Sequence, residues 1–396
     1  MKKIALVVIS SIVAFSSCNN KEDQKETNVN LERAQVTLDS LYKYYDTNDG
    51  TNLLRETFPY DDQYTASYLA SQDQERPNPY SYLWPYSGTF SAVNALFEAT
   101  DDKKYQQLLD SKVLVGLEEY FDDKRKPDAY ASYVKDAPPS DRFYDDNVWL
   151  GIDFTDTYMM TKEEKYLDKA KMIWKFIESG MDDELGGGIY WCEQKKFSKN
   201  TCSNAPGAVY AFKLFEATQD SAYFKQGLFL YEWTKKNLQD TSDYLYYDNK
   251  ALNGKIGKAK YAYNSGQMMQ AAALLYKLTG NKEFLTEAQN LAKACYGYFF
   301  EDITTTEGET IRILKGRDIW FTAVMLRGFI ELYNIDKNKT YIDAFNLSMD
   351  YGWDKGMRTS NGLFNTEWNG TKQDDSKWLL TQAAMVEMLG RLATVK

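Results

Sequence analysis

The sequence predicts an all-α fold, an (α/α)6 toroid of twelve helices. Three observations lead there. A turn motif recurs five times, about sixty residues apart. The segments flanking each turn have helical periodicity. One further helical segment stands at each end, outside the five turns. A fixed period of this length marks repeated supersecondary units.

The first element is residues 31–45, LERAQVTLDSLYKYY, a helix with no turn of its own. The five motifs follow: FEATDDKKY (97–105), YMMTKEEKY (158–166), FEATQDSAY (215–223), YKLTGNKEF (276–284) and YNIDKNKTY (333–341). Each opens on an aromatic residue and has another eight positions later. Thr stands fourth in four of them and Asp in the fifth, where either can cap the next helix. After the fourth turn Phe284, Ala288, Leu291, Cys295 and Phe299 recur at helical spacing. Each motif is therefore the bend of a helical hairpin. Residues 375–393, DSKWLLTQAAMVEMLGRLA, form the last helix. Five hairpins and two terminal helices make six pairs if the ends meet. Closure buries the apolar Trp378, Leu379 and Leu380, whereas an open solenoid needs polar caps. The helices before the short turns are then the inner ones. Their starts converge on one face, and there the chain has its long connections.

Residues 31–396 are expected to form a single domain. Residues 1–17, MKKIALVVISSIVAFSS, read as a signal peptide: Lys2 and Lys3 precede a run too short to span a bilayer comfortably. FSSC resembles a lipoprotein lipobox, which implies lipidation of Cys18 and a flexible tether over residues 18–30. Lys21, Glu22 and Asp23 resemble the signal that sends lipoproteins of the Bacteroides group to the cell surface. The expectation is lipid anchoring at the outer membrane, on the cell surface or else its periplasmic face. That lipid is the expected membrane contact.

Forty-three per cent of residues are hydrophobic and 15% aromatic, as in a globular chain. A net charge of −10 argues against nucleic-acid partners. There is no histidine, so His-dependent triads, general bases and metal ligands are excluded. No metal or cofactor is expected, and the chain is expected to be a monomer. Cys192 and Cys202 could bridge in an oxidising compartment, whereas Cys295 lies on an apolar stripe and is expected to be buried.

Chemistry then falls to carboxylates. Six pairs of adjacent aspartates occur, but only Asp145-Asp146, in FYDDNVWL, sits among aromatic and apolar residues at the start of an inner helix. Neighbouring carboxylates can approach within roughly 5 Å, the separation of nucleophile and acid/base in retaining glycosidases. Converging helix N-termini favour an ionised nucleophile, and the ionised member raises its neighbour's pKa. The spacing does not decide which is which, and acids at a helix start are also ordinary decoration. Trp84, Tyr86, Tyr144, Tyr190, Trp191 and Trp320 are candidates for stacking on sugar faces. Asn200, Asn204, Asn264 and Gln267 are candidates for hydrogen bonds to hydroxyls. GGGIYW (186–191) is expected to form a tight hairpin.

The segment FYDDNVWLGIDFTDTYMMTKEEKYLDKA resembles the catalytic segment of glycoside hydrolase family 76, the endo-α-1,6-mannanases. The resemblance continues through GGGIYW, KNTCSN (199–204), YNSGQMMQAAALLYKLTG (263–280), GLFNTEWNG (362–370) and TQAAMVEML (381–389). It implies an (α/α)6 barrel and retention, with Asp145 the nucleophile and Asp146 the general acid/base. Its implied partner is α-mannan polysaccharide or oligosaccharide. Where the family often has Phe-Lys-Gly before an Arg, this chain has Phe321-Thr322-Ala323 leading to Arg327. The expected activity is that of a retaining endo-α-1,6-mannanase. The alternatives are an α-1,6-mannan transglycosylase, a non-catalytic glycan-binding surface lipoprotein, and another toroid enzyme acting on unsaturated uronides.

Overall fold

The computed structural model describes residues 28–395, except 62, 67, 70–77 and 317. The signal peptide, Cys18, Lys21 to Asp23 and most of the tether lie outside the described residues.

The described residues form twelve helices. The first is α1, Val29–Tyr45. Next come α2, Leu83–Thr100, and α3, a broken helix running Lys103–Leu108, Leu109–Val113, Leu114–Leu117 and Glu118–Tyr120. Then follow α4, Tyr144–Thr161; α5, Glu164–Ser179; α6, Thr201–Thr218; and α7, Ser221–Leu238. The last five are α8, Ala262–Thr279; α9, Lys282–Phe299; α10, Ile319–Asp336; α11, Thr340–Asp354; and α12, Leu379–Ala393.

The even-numbered helices form the inner ring. Each packs on the next, and α12 closes onto α2. The terminal helices α1 and α12 pair, which makes the sixth couple and closes the (α/α)6 toroid. Periodicity separates the two layers. Outer helix α5 buries Tyr166, Leu167, Ala170, Ile173, Trp174, Phe176 and Ile177, a single apolar stripe. Inner helix α8 buries every residue from Ala262 to Leu275. Close contact in the inner ring needs small residues. A Cβ on Gly266 would lie 2.4 Å from the Met325 Cα, and one on Gly328 would lie 2.4 Å from the Gly266 carbonyl oxygen. One core runs from Ala34 to Leu392.

The five short turns share a geometry that their sequences conceal. Each of the five inner helices before them ends on a left-handed residue: Asp101, Lys162, Gln219, Gly280 and Lys337. Only one of them is glycine. The motif threonines do not cap the following helix. The hydroxyl of Thr100 donates to the Leu96 carbonyl and accepts the Asp102 N–H at 3.2 Å. Thr218 and Thr279 do the same with their own turns. The cap itself stands two residues later, where Asp102, Asp220 and Asn281 accept N–H bonds from Lys104, Ala222 and Glu283.

On the opposite face the connections fold into short strands. Thr57–Phe58 pairs with Lys377–Trp378, Phe121–Asp122 with Ala129–Tyr130, and Phe300–Thr304 with Thr310–Leu314. Ser198–Asn200, Asn249–Ala251 and Ile256–Gly257 form a three-stranded sheet. Several connections are clamped by the fourth residue of the helix that follows. The Asn147 amide accepts the Tyr130 N–H and donates to the Tyr130 carbonyl, both at 2.9 Å. Asn204 does the same to Ile189, and Gln382 to Phe364. Ser265 accepts the Tyr246 N–H at 3.0 Å.

Candidate active site

A cavity of about 710 Å³ opens where the inner helices begin. The residue that precedes each inner helix lines it: Tyr82, Phe143, Asn200, Tyr261, Asp318 and Trp378. So does the second residue of five of the six: Trp84, Asp145, Cys202, Tyr263 and Trp320. None of the six preceding side chains caps its own helix. In four of these helices the first N–H instead donates to a backbone carbonyl: Leu83 to Ser132, Tyr144 to Trp191, Thr201 to Asp248 and Leu379 to Glu56. The positive ends of the helix dipoles converge at the cavity.

Asp145 and Asp146 lie in the first turn of α4, and both line the cavity. The Trp191 indole N–H donates to Asp145 Oδ2 at 3.1 Å, and the Cys202 thiol stands beside this carboxylate in the cavity lining. Burial pushes Asp145 up to about 6, against the Cys202 and Trp191 side chains and the backbone N–H groups of Asp145 and Asp146. Asp146 lacks such donors. Burial, and then the charge of Asp145, raise it well above the usual carboxylate range. Among the described residues no Lys or Arg forms an ion pair with either. Two groups this close titrate as a pair, but the asymmetry has one direction: Asp145 ionises first and Asp146 keeps a proton. That is the division of labour between a nucleophile and a proton donor.

Aromatic rings form much of the wall. Trp320 meets Trp84 edge-on, centroids 5.4 Å apart, and Trp149 at 5.2 Å. Tyr263 stacks on Phe321 at 4.1 Å. Asp248, Asn249 and Ser198 add polar groups. Among the described residues no group of three or more His, Cys, Asp or Glu side chains could hold a metal ion. No described helix is long and apolar enough to cross a membrane.

Of the expected sugar-contacting residues, Trp84, Trp191, Asn200 and Trp320 line the cavity. The others lie outside the lining. The Tyr86 hydroxyl lies 2.9 Å from the Val113 carbonyl and 3.0 Å from that of Asn52, at the π turn that breaks α3. Tyr144 stacks on Phe176 with centroids 4.6 Å apart. The Tyr190 hydroxyl donates to Asp182 at 2.8 Å. Asn204 clamps Ile189. Asn264 and Gln267 are fully buried in the inner ring, away from the cavity lining, with Gln267 donating to Gln270 at 2.8 Å. Cys192 and Cys202 are free thiols, not a bridge: Cys192 sits in the strand contact with Phe143, while Cys202 lines the cavity. Cys295 is buried, as its apolar stripe requires.

The GGGIYW turn places Trp191. Gly186, Gly187 and Gly188 all have positive φ, and a Cβ on Gly187 or Gly188 would lie 2.3 Å from Phe229 or 2.8 Å from Trp233. Lys199, fully buried, ties the turn together through Asp182, Glu184 and Gly187.

Sequence reasoning missed Tyr68, Tyr82, Trp149, Cys202, Asp248, Tyr261, Tyr263, Asp318, Phe321 and Trp378 as cavity residues. Most obey one register rule, the position just before an inner helix or the second within it. The ring symmetry carried that signal once the helix starts were known.

Elsewhere in the inner ring lies a buried carboxylate with two cations. Glu387 receives Arg327 at 2.7 and 2.9 Å and Arg391 at 2.7 Å. Burial pushes it up, but the two guanidinium groups hold it down at about 2.

An α/α ring with an adjacent, unequally protonated carboxylate pair in an aromatic cavity defines a carbohydrate-cleaving class of protein. Glycosyl hydrolase family 76 matches residues 30–310, and the chain belongs to that family. A family 76 mannosidase of Bacteroides thetaiotaomicron is 34% identical, with a TM-score of 0.83 over 92% of this chain and 98% of its own. The α-1,6-mannanase of Salegentibacter sp. is 25% identical, with a TM-score of 0.73 over 92% and 98% of the two chains. A mannan endo-1,6-alpha-mannosidase of Saccharomyces cerevisiae is 26% identical over 151 residues, 36% of this chain and 34% of that protein. A Schizosaccharomyces pombe relative is matched over 52% of its length. The chain thus spans about half or less of these two yeast proteins. It is a glycosidase.

Proposed function

We propose that this glycosidase is a retaining endo-α-1,6-mannanase acting on the backbone of yeast-type mannan. Asp145 attacks the anomeric carbon, and Asp146 protonates the departing sugar oxygen and then deprotonates water. The observation that carries this is the asymmetry of the pair: the Trp191 indole donates to Asp145 alone, while Asp146 is buried beside its charge. The Salegentibacter sp. relative supports it, since a variant with two consecutive aspartates changed to alanine is inactive and was obtained in complex with α-1,6-mannotetrose. A glycan-binding lipoprotein has no need of a carboxyl held protonated.

Incubation with debranched α-1,6-mannan tests the reading. Oligosaccharides of intermediate length should appear early, with the α anomer formed first by NMR. The β anomer first would mean inversion, mannose alone exo action, and lengthened products transglycosylation. No cleavage would leave only a binder. Anchoring through Cys18 at the outer-membrane cell surface belongs to the same proposal. A Cys18→Ser protein that stayed membrane-bound after normal processing would contradict it.

A further inference from the structure

Glu56 belongs to the connection between α1 and α2, is 4% exposed and does not line the cavity. Its Oε1 accepts the Trp378 indole N–H at 2.6 Å and the Tyr68 hydroxyl at 2.7 Å. Its Oε2 accepts the Tyr82 backbone N–H at 2.8 Å. Its carbonyl accepts the Leu379 N–H at 2.9 Å, next to the pairing of Thr57 with Trp378. Among the described residues no Lys or Arg forms an ion pair with this carboxylate. Burial raises it, against those three donors, to about 7. A buried acid without a cation is unfavourable, and an apolar side chain of similar volume would fill the space at less cost. The carboxylate is explained by what it orients.

All three residues it holds line the cavity. With Trp84 they form one wall, in which Tyr68 lies 5.1 Å from Trp84, 5.6 Å from Trp378 and 6.0 Å from Tyr82 between ring centroids. Trp84 meets Trp378 edge-on at 5.2 Å. This wall stands where the N-terminal connection and the start of α12 close the ring.

We infer that Glu56 is a positioning residue that fixes this four-ring wall and so sets how tightly the cavity holds sugar units at the α2–α12 end of a bound chain. The inference rests on the mannanase reading of the site. It predicts a change in chain binding rather than in bond cleavage. An aryl α-mannobioside is too short to need the whole cavity, so it should feel the change least.

The experiment measures kcat and KM on α-1,6-mannan and on an aryl α-mannobioside for wild type, Glu56→Gln, Tyr68→Phe, Trp378→Phe and the Glu56→Gln/Trp378→Phe double variant. Glu56→Gln keeps the shape but sets an amide against three donors. It should raise KM for mannan about tenfold, the loss of a charged hydrogen bond, with kcat within about twofold on either substrate. Trp378→Phe and Tyr68→Phe keep the rings, remove one donor each, and should each give part of that rise. Glu56→Gln should add less in the Trp378→Phe background than alone, because the two share one hydrogen bond. If Glu56→Gln fails to fold, Tyr68→Phe and Trp378→Phe still carry the test, and unchanged KM in both overturns the inference. Equal losses of kcat on both substrates with additive effects also overturn it and make Glu56 a fold residue. A wild type that cleaves neither substrate rejects the mannanase reading itself.

Discussion

The starts of the inner and outer helices differ: a side chain caps four of the six outer helices, α5 and α11 being the exceptions, and none of the inner six. On the short-turn face, α3, α7 and α9 begin on Asp102, Asp220 and Asn281, each accepting an N–H of its own first turn. On the cavity face, no inner helix has such a cap, and five of the six preceding positions are Tyr, Phe, Asn or Trp. Capping stabilises a helix by about 0.5–2 kcal/mol. The inner starts forgo it and bring aromatic rings and one carboxylate pair to the cavity. One set of helix starts serves stability and the other serves chemistry.

Substitutions separate the two sets. The largest effect belongs to Asp145→Ala, which should lower kcat/KM on mannan by more than about 10⁴-fold, beyond the range typical of acid–base help alone. Its thermal midpoint should not fall, because it removes a buried carboxylate that lacks a cation. A large loss of stability there would erase the distinction between the two sets.

Glu387→Gln tests the carboxylate that does have cations. Removing one partner of a buried pair typically costs about 3–5 kcal/mol, read as a shift in the denaturant midpoint. Because Glu387 is held below its ordinary value of 4.5, down to about 2, its contribution is complete above 4.5. It is lost as pH falls toward 2. A variant as stable as wild type at pH 7 would show that Arg327 and Arg391 do not hold it.

Trp191→Phe keeps a ring beside Phe143 but removes the N–H that reaches Asp145. Activity should fall as pH drops through about 6, where Asp145 takes up a proton. In the variant that acid limb should move up by about one pH unit, the worth of a hydrogen bond to a charged group. A limb that stays in place would assign the asymmetry of the pair to something other than this indole.

The smallest effect belongs to the caps. Asp220→Ala should cost about 1 kcal/mol of stability and leave kcat and KM on mannan unchanged. A change in KM would mean that the short-turn face reports to the cavity.

The ring was legible because it repeats. Five turns fix five inner helices, and the leftover segments 31–45 and 375–393 had to pair to bury Leu379 and Leu380. The turns themselves were less legible. Thr100 and its counterparts looked like caps, yet the left-handed residue after each is Asp, Lys or Gln as readily as Gly, so no glycine signal marks it. Asp145-Asp146 stood out by its company. Its neighbours did not, because Tyr68, Asp248 and Trp378 come from distant connections that only closure of the ring brings together. Tyr86 and Asn204 were misplaced for the converse reason. They lie in the fourth position of their helices, which faces the clamped connections rather than the cavity.

The account turns on the roles of two adjacent carboxyls, and an activated aryl α-1,6-mannobioside separates them. A good leaving group needs no proton, so Asp146→Ala should still form the glycosyl-enzyme while losing mannan cleavage. Azide should then speed its turnover and yield a glycosyl azide of retained α configuration, while Asp145→Ala stays inactive with or without azide. The reverse pattern would exchange the two roles. Full mannan cleavage by both variants would contradict the account, and the pair would be no more than the start of a helix.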